Sequence, residues 1–446
     1  MTEGTDPRPG RPRPAGVADL ERAALAAVSA GRIVADLAAL VAIPSVTGMP
    51  AEVEAADLVA RQLAAGGPAI AVERHDVDPV ALARDPAYPG TEMPRQVLPL
   101  VAGSVRAARP GRRLVLSGHL DVVPTGDPAT WATPPFAPVV SGGRMRGRGT
   151  CDMKGGVVAA VEALRAVASL AGRGGVLPEP LAGEAMFVGV PSEEDGGTGT
   201  LAAIRAGWTA DAAIVTEPTR LQVVTAGAGA ITFRLSVPGR AAHASTRREG
   251  VSALEKLEVL HAALRADEGR RTESEVDPRM RVLGMPYPTI IGTVRGGDWA
   301  STVPDLVVAE GRYGVRLGQD ADGAFAELQS VIAEACAGDP WLREHPAAVE
   351  SVGGRFDSVE LPADDPLPTS LARVVADVDG AAPATVAVPY GSDMRLWVRV
   401  GGTPCVLYGP GDVRDAHAAN EDVDLDEVVR CARVLAAWLV RGLAGG

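Results

Sequence analysis

Short apolar runs that stop at a glycine, a proline or a turn and are followed closely by a histidine or an acid constrain this chain more than anything else in it. Residues 113–118 (RLVLSG) lead into His119, 185–190 (AMFVGV) into Pro191-Ser192-Glu193-Glu194-Asp195, and 212–215 (AAIV) into Thr216-Glu217-Pro218. A fourth run, 405–408 (CVLY), leads through Gly409-Pro410-Gly411 to Asp415-Ala416-His417. Runs this short, without polar alternation, read as strands buried on both faces. Helical stretches lie between them: 17–43, with Leu25, Ile33, Leu37, Leu40 and Val41 on one side, then 52–63, 155–170 and 425–443. The first should end near Ile43, because Pro44 disfavours helical geometry in the residue before it. Strands alternating with helices predict an α/β layer with a mainly parallel sheet. In such sheets, ligands gather at the carboxyl ends of the strands.

The pattern changes after Gly227. Residues 231–237 alternate apolar and polar, as in a strand with one wet face. A helix (252–266), two strands (288–294 and 305–317), a second helix (324–336) and a last strand (348–361) follow. That βαββαβ order has the form of a ferredoxin-like α+β unit. The expected organisation is a catalytic α/β domain over residues 1–227 and 363–446, interrupted by an inserted domain over 228–362. Residues 1–16 read as a flexible tail. A length of 446 residues also favours more than one core.

Composition excludes several classes. A formal charge of −13 argues against sequence-independent nucleic-acid binding, which needs a basic face. No segment offers the ~20 uncharged apolar residues of a membrane span. The Pro- and Arg-rich start has no apolar stretch and does not read as a signal peptide. The scattered cysteines (Cys151, Cys336, Cys405, Cys431) form no C-x-x-C pair. Free thiols in a reducing, cytoplasmic compartment are expected.

The chemistry falls at the predicted strand ends. In Gly118-His119-Leu120-Asp121, an acid two residues beyond a histidine can hold the far ring nitrogen of a metal-ligating imidazole. In Gly147-Arg148-Gly149-Thr150-Cys151-Asp152-Met153-Lys154-Gly155-Gly156, glycines let the backbone turn tightly while aiming one carboxylate into a cleft. Glu193 and Glu194 are adjacent and point in different directions, which suits one metal ligand and one proton carrier. Pro218 biases Glu217 towards extended geometry. Taken singly, each has a plain alternative: strand cap, helix N-cap, surface turn, lead-in to a helix. Taken together, two histidines and several carboxylates without a thiolate cluster form an oxygen/nitrogen donor set suited to Zn²⁺, with Co²⁺ or Mn²⁺ possible.

These residues resemble the M20 metallopeptidase family, in particular its acetylornithine deacetylase and succinyl-diaminopimelate desuccinylase branch. The resemblance runs from Leu40-Val41-Ala42-Ile43-Pro44-Ser45 to His417-Ala418-Ala419-Asn420-Glu421 and is most specific in GHLDVVPTGD, RGTCDMKGG, SEEDGGTGT and TEPT. It implies two zinc ions bridged by Asp152, one site completed by His119 and Glu217 and the other by Glu194 and His417. It further implies Glu193 as general base and acid, and Asp121 as the partner of His119. His243, in Pro238-Gly239-Arg240-Ala241-Ala242-His243, would stabilise the oxyanion, often in the site of a partner subunit. A homodimer through the inserted lid domain is implied as well.

The chain departs from the family pattern where substrate would bind. Ser301 stands where many members have asparagine. Arg312 and Arg316 both compete for the role of carboxylate-binding arginine, and Gly391-Ser392-Asp393-Met394-Arg395 matches a loop near the substrate only loosely. The expected activity is hydrolysis of the amide bond of a small N-acyl amino acid. A dipeptidase or carboxypeptidase on the same metals is the alternative, and a silent metal-binding dimer is a third reading, against which Glu193 stands. Neither nucleic acid nor a membrane is an expected partner.

Overall fold

The computed structural model describes residues 16–172 and 174–445. Apart from Gly16, the expected N-terminal tail lies outside the described residues.

Eight strands come first: β1 (Ala71–Val77), β2 (Leu98–Arg106), β3 (Arg113–His119), β4 (Val139–Ser141), β5 (Arg144–Arg146), β6 (Glu184–Val190), β7 (Ala212–Val215) and β8 (Val223–Gly227). Next are β9 (Gly229–Pro238), β10 (Thr289–Gly296), β11 (Leu306–Val315) and β12 (Ala348–Phe356). The last are β13 (Val359–Glu360), β14 (Thr385–Val388), β15 (Cys405–Leu407) and β16 (Asp422–Asp424). The large sheet runs β1-β2-β6-β3-β7-β15-β8-β13, with β14 also beside β8.

This sheet corrects the expectation of a mainly parallel one: it is mixed. The centre is parallel, β3 pairing with β6 and β7, and β15 with β7. The helices Gly155–Ala168 and Thr198–Arg205 provide the crossovers that parallel pairing requires. Towards one edge β1, β2 and β6 pair antiparallel, and on the other side β8 is antiparallel to β15 and β13. The strands missed in the sequence explain the difference. β1 carries Glu73, Arg74, His75 and Asp76 and is half exposed, while β2, though almost wholly buried, is interrupted by Pro99, Gly103 and Ser104.

The single helix expected over 17–43 is two, Val17–Ala27 and Ala30–Val41, meeting at 54°. Ser29 takes extended backbone there and its hydroxyl accepts the Arg32 N–H, a helix N-cap inside an apparently continuous apolar pattern. Its own N–H donates to Glu162 at 2.7 Å. Among the described residues, no single helix is long and apolar enough to cross a membrane. All four cysteines are buried and free.

A second sheet, β10-β11-β9-β12, is antiparallel throughout, and its elements follow the βαββαβ order read from the sequence. Ile231, Phe233 and Leu235 pack with Leu257, Leu260 and Leu328 of the helices Ala253–Glu273 and Ala321–Gly338, forming a separate core. The strand expected over 348–361 is divided: β12 belongs to this sheet, whereas β13 pairs with β8 of the large one. The two crossings between sheets touch backbone to backbone. A Cβ on Gly229 would lie 2.0 Å from the Phe356 carbonyl oxygen, so only glycine fits.

Candidate active site

His119 is the last residue of β3, and its imidazole is buried. Nδ1 lies 2.9 Å from the Asp121 carbonyl oxygen, so that nitrogen donates and Nε2 is left as the lone-pair side. Nε2 is 3.1 Å from Asp152 Oδ1. The Asp121 carboxylate lies 3.7 Å from the same His119 nitrogen, and it also accepts the backbone N–H groups of Glu193 (3.2 Å) and Glu194 (3.3 Å).

Asp152 sits in the turn Thr150–Lys154, ahead of the helix Gly155–Ala168. One Glu421 oxygen accepts the N–H groups of Cys151 (2.9 Å) and Asp152 (3.0 Å); the other meets the Arg148 guanidinium at 2.6 Å. A Cβ on Gly156 would be 1.9 Å from the Thr216 carbonyl oxygen. That close approach sets the start of this helix against the end of β7, next to Glu217.

Glu193 and Glu194 occupy the turn after β6. His417, with a left-handed φ of 59°, lies in the loop between β15 and β16. Its Nε2 is 3.1 Å from Glu194 Oε2 and 3.4 Å from Asp152 Oδ2. Asp152 therefore turns one oxygen to each histidine. Two donor groups result, His119 with Asp152 and Glu217, and Asp152 with Glu194 and His417, each with its ligand atoms within 4.8 Å of one another.

The electrostatics are those of a site short of positive charge. Burial, with Glu217 close by, holds the Glu193 carboxyl well above the usual range, and burial with Asp152 close by does the same for Glu217. Burial works against charge on His417, but its hydrogen bonds with Asp152 and Glu194 raise it to about 11. Glu194 Oε1 is buried and has no hydrogen-bond partner among the described residues. An orphaned carboxylate oxygen in a nitrogen/oxygen donor set fits a divalent cation.

The groups open into a cavity of about 220 Å³, also lined by Glu193, Pro218, Arg312, Phe356, Tyr390 and Gly391. Of the sequence candidates for substrate contact, Arg312 and Gly391 are thus brought to the site. Arg316 is not; it pairs with Glu327. His243 and Ser301 are exposed on the second unit and are not among the described residues lining this cavity. His243 Nδ1 is 2.8 Å from Ser245 Oγ, and Ser301 accepts the Ala244 N–H through its carbonyl. Sequence reasoning missed Phe356, Tyr390, Arg148 and Glu421. Glu421 closes the quoted His417 segment and Arg148 lies in the Asp152 segment, but nothing local marks either as a partner of the other.

The sequence profile of peptidase family M20/M25/M40 matches residues 115–441, which include both donor groups. The chain belongs to this family. As an M20 enzyme it is a metal-dependent hydrolase of amide bonds. It is 27% identical to the N-formyl-4-amino-5-aminomethyl-2-methylpyrimidine deformylase of Halalkalibacterium halodurans, over 74% of this chain and 78% of that protein. It is 30% identical to the acetylornithine deacetylase of Myxococcus xanthus, over 75% of this chain and 80% of that protein. The di-peptidase Dug1p of Saccharomyces cerevisiae shares the fold of this M20 chain, with a TM-score of 0.72 at 15% identity over 97% and 99% of the two chains.

Proposed function

We propose that this M20 enzyme releases the acyl group of a small N-acyl amino acid, with two zinc ions sharing Asp152. The observation that carries this reading is the position of Asp152, one carboxylate oxygen facing His119 and the other His417. His119 and Glu217 complete one site; Glu194 and His417 complete the other. When bound, the cations supply an activated water and polarise the amide carbonyl. Glu193 takes a proton from the attacking water and returns it to the leaving amine. Glu193 lines the cavity and belongs to neither donor group, which leaves its carboxyl for proton transfer. Asp121 sets Glu193 and Glu194 through their backbone N–H groups and orients His119 through its own carbonyl.

Arg312 binds the substrate carboxylate. It lines the cavity over the Phe356 ring and has no ion pair among the described residues. The unit built on β9 to β12 acts as lid and dimerisation domain. His243 of one copy stabilises the oxyanion in the site of the other. The acetylornithine deacetylase relative supports the deacylase branch.

The test is a hydrolysis screen of the purified protein with Zn²⁺, Co²⁺ or Mn²⁺ and with chelator. It covers N-acetyl, N-succinyl and N-formyl amino acids and simple dipeptides. Metal-dependent release of amine from one acyl class supports the reading. Turnover of dipeptides alone replaces it with a dipeptidase, and two bound metals without turnover replace it with a silent binding protein.

A further inference from the structure

The segment between β1 and β2 contains Pro86, Pro89, Gly90 and Pro94 and carries little regular structure, yet the Arg95 side chain is only 4% exposed. A guanidinium is buried this far only where most of its donors are taken up; here Nε has no partner among the described residues, and the two terminal nitrogens carry the contacts. Both of its terminal nitrogens lie 3.2 Å from Asp195 Oδ1. One also donates to Ser192 Oγ at 2.7 Å and the other to Thr47 Oγ1 at 3.0 Å, with Glu52 at 3.4 Å. The same segment grips the second Asp195 oxygen, through the Thr91 hydroxyl (2.5 Å) and the Met93 N–H (3.0 Å).

Ser192 and Asp195 flank Glu193 and Glu194. Ser192 has φ 67°, a left-handed conformation unfavourable for a residue with a Cβ, and it persists only where its surroundings hold it. Its hydroxyl donates to Asp195 Oδ1 at 2.5 Å and accepts from Thr198 at 2.6 Å. The turn is therefore held on one side by the Asp121 carboxylate, on the Glu193 and Glu194 amides, and on the other by Arg95, on the side chains of the flanking residues.

We propose that Arg95 is a positioning residue for Glu193 and Glu194, acting through Ser192 and Asp195. The inference rests on the proposed roles of those two glutamates. A displacement of ~1 Å in such a group costs ~10²-fold in rate. Glu194 belongs to only one of the two donor groups. A loosened turn must therefore weaken one cation site and spare the one made by His119, Asp152 and Glu217.

The experiment is calorimetric titration of the metal-free full-length protein with Zn²⁺, alongside steady-state kinetics on the substrate found in the screen. Arg95→Lys keeps the charge and loses the fork. It is expected to weaken one of the two binding events by ~10-fold, to leave the other within ~2-fold and to lower kcat by ~10- to 100-fold with KM within ~2-fold. Arg95→Gln with Asp195→Asn removes both charges together and keeps the test alive should the single variant not fold; the same one-site loss is expected. Two unchanged binding events with wild-type kcat, or equal weakening of both with a lowered melting temperature, overturn the proposal. Glu193→Gln is run in parallel. If it retains turnover, the assigned reaction role fails, while the calorimetric split still decides on Arg95.

Discussion

Glu421 accepts the backbone N–H of Asp152 at 3.0 Å across 269 residues of sequence. This bond joins the segment that brings in His417 to the turn that aims the shared carboxylate. The other Glu421 oxygen is paired with Arg148, and both side chains are buried. Glu421→Ala would leave the Arg148 charge buried without its partner, at a cost of about 3–5 kcal/mol in stability. Calorimetric unfolding should show that loss as a lowered melting temperature. Because Asp152 belongs to both donor groups, both zinc-binding events should weaken, unlike the one-site loss expected for Arg95. Weakening of a single event would contradict the sharing of Asp152.

Glu193→Gln should keep its metals and lose turnover. The amide is nearly the same size but cannot carry the proton, and general acid–base catalysis is typically worth ~10²–10⁴-fold. Metal content by elemental analysis, set beside kcat, separates the outcomes. Activity near that of the wild type removes Glu193 from the proposed chemistry.

Arg312→Ala should raise KM by ~10-fold or more for a substrate with a free carboxylate, since a charge-assisted hydrogen bond contributes about 1.5–3 kcal/mol. Arg316→Ala should leave KM unchanged, because its guanidinium is occupied by Glu327 outside the cavity. Amidating the substrate carboxylate should abolish the difference between Arg312→Ala and wild type. A KM increase with Arg316→Ala instead would reverse the assignment.

Removing metal by chelation should abolish turnover and lower the melting temperature, and added Zn²⁺ should restore both. Asp152, Glu193, Glu194 and Glu217 crowd one cavity, and cations relieve their mutual repulsion. Ligand present at ~100 times its Kd stabilises the folded state by about 2.7 kcal/mol. An unchanged melting curve after verified metal loss would count against cation binding at these carboxylates.

His243 is not among the described residues lining the cavity of its own chain, and its proposed role is in the site of a second copy. Glu193→Gln and His243→Ala proteins, each inactive alone, should regain activity when mixed and allowed to exchange subunits. In a twofold dimer at equal amounts, about a quarter of all sites would carry both intact groups. No recovery after confirmed exchange would leave His243 without a role in the partner's site.

Much of this protein was determined locally. Apolar runs ending at Gly, Pro or polar turns placed β3, β6, β7 and β15, and the residues just beyond them supplied His119, Glu193, Glu194, Glu217 and His417. The alternation in β9 and the element order after it announced the second sheet. These features are legible because strand burial, chain reversal and helix starts depend on residues a few positions apart. Only the tertiary structure decided the rest. Arg312 and Arg316 are four residues apart and would share a face of one continuous strand, so periodicity cannot separate them. β11 ends at Val315, leaving Arg312 facing the cavity and Arg316 beyond the strand. The pairings of β1, β2 and β8, the clasp of Glu421 on Asp152 and the grip of Arg95 on Asp195 are likewise matters of which distant segments meet. Close packing and the need to satisfy every buried charge settle those encounters, and neither has a period in sequence.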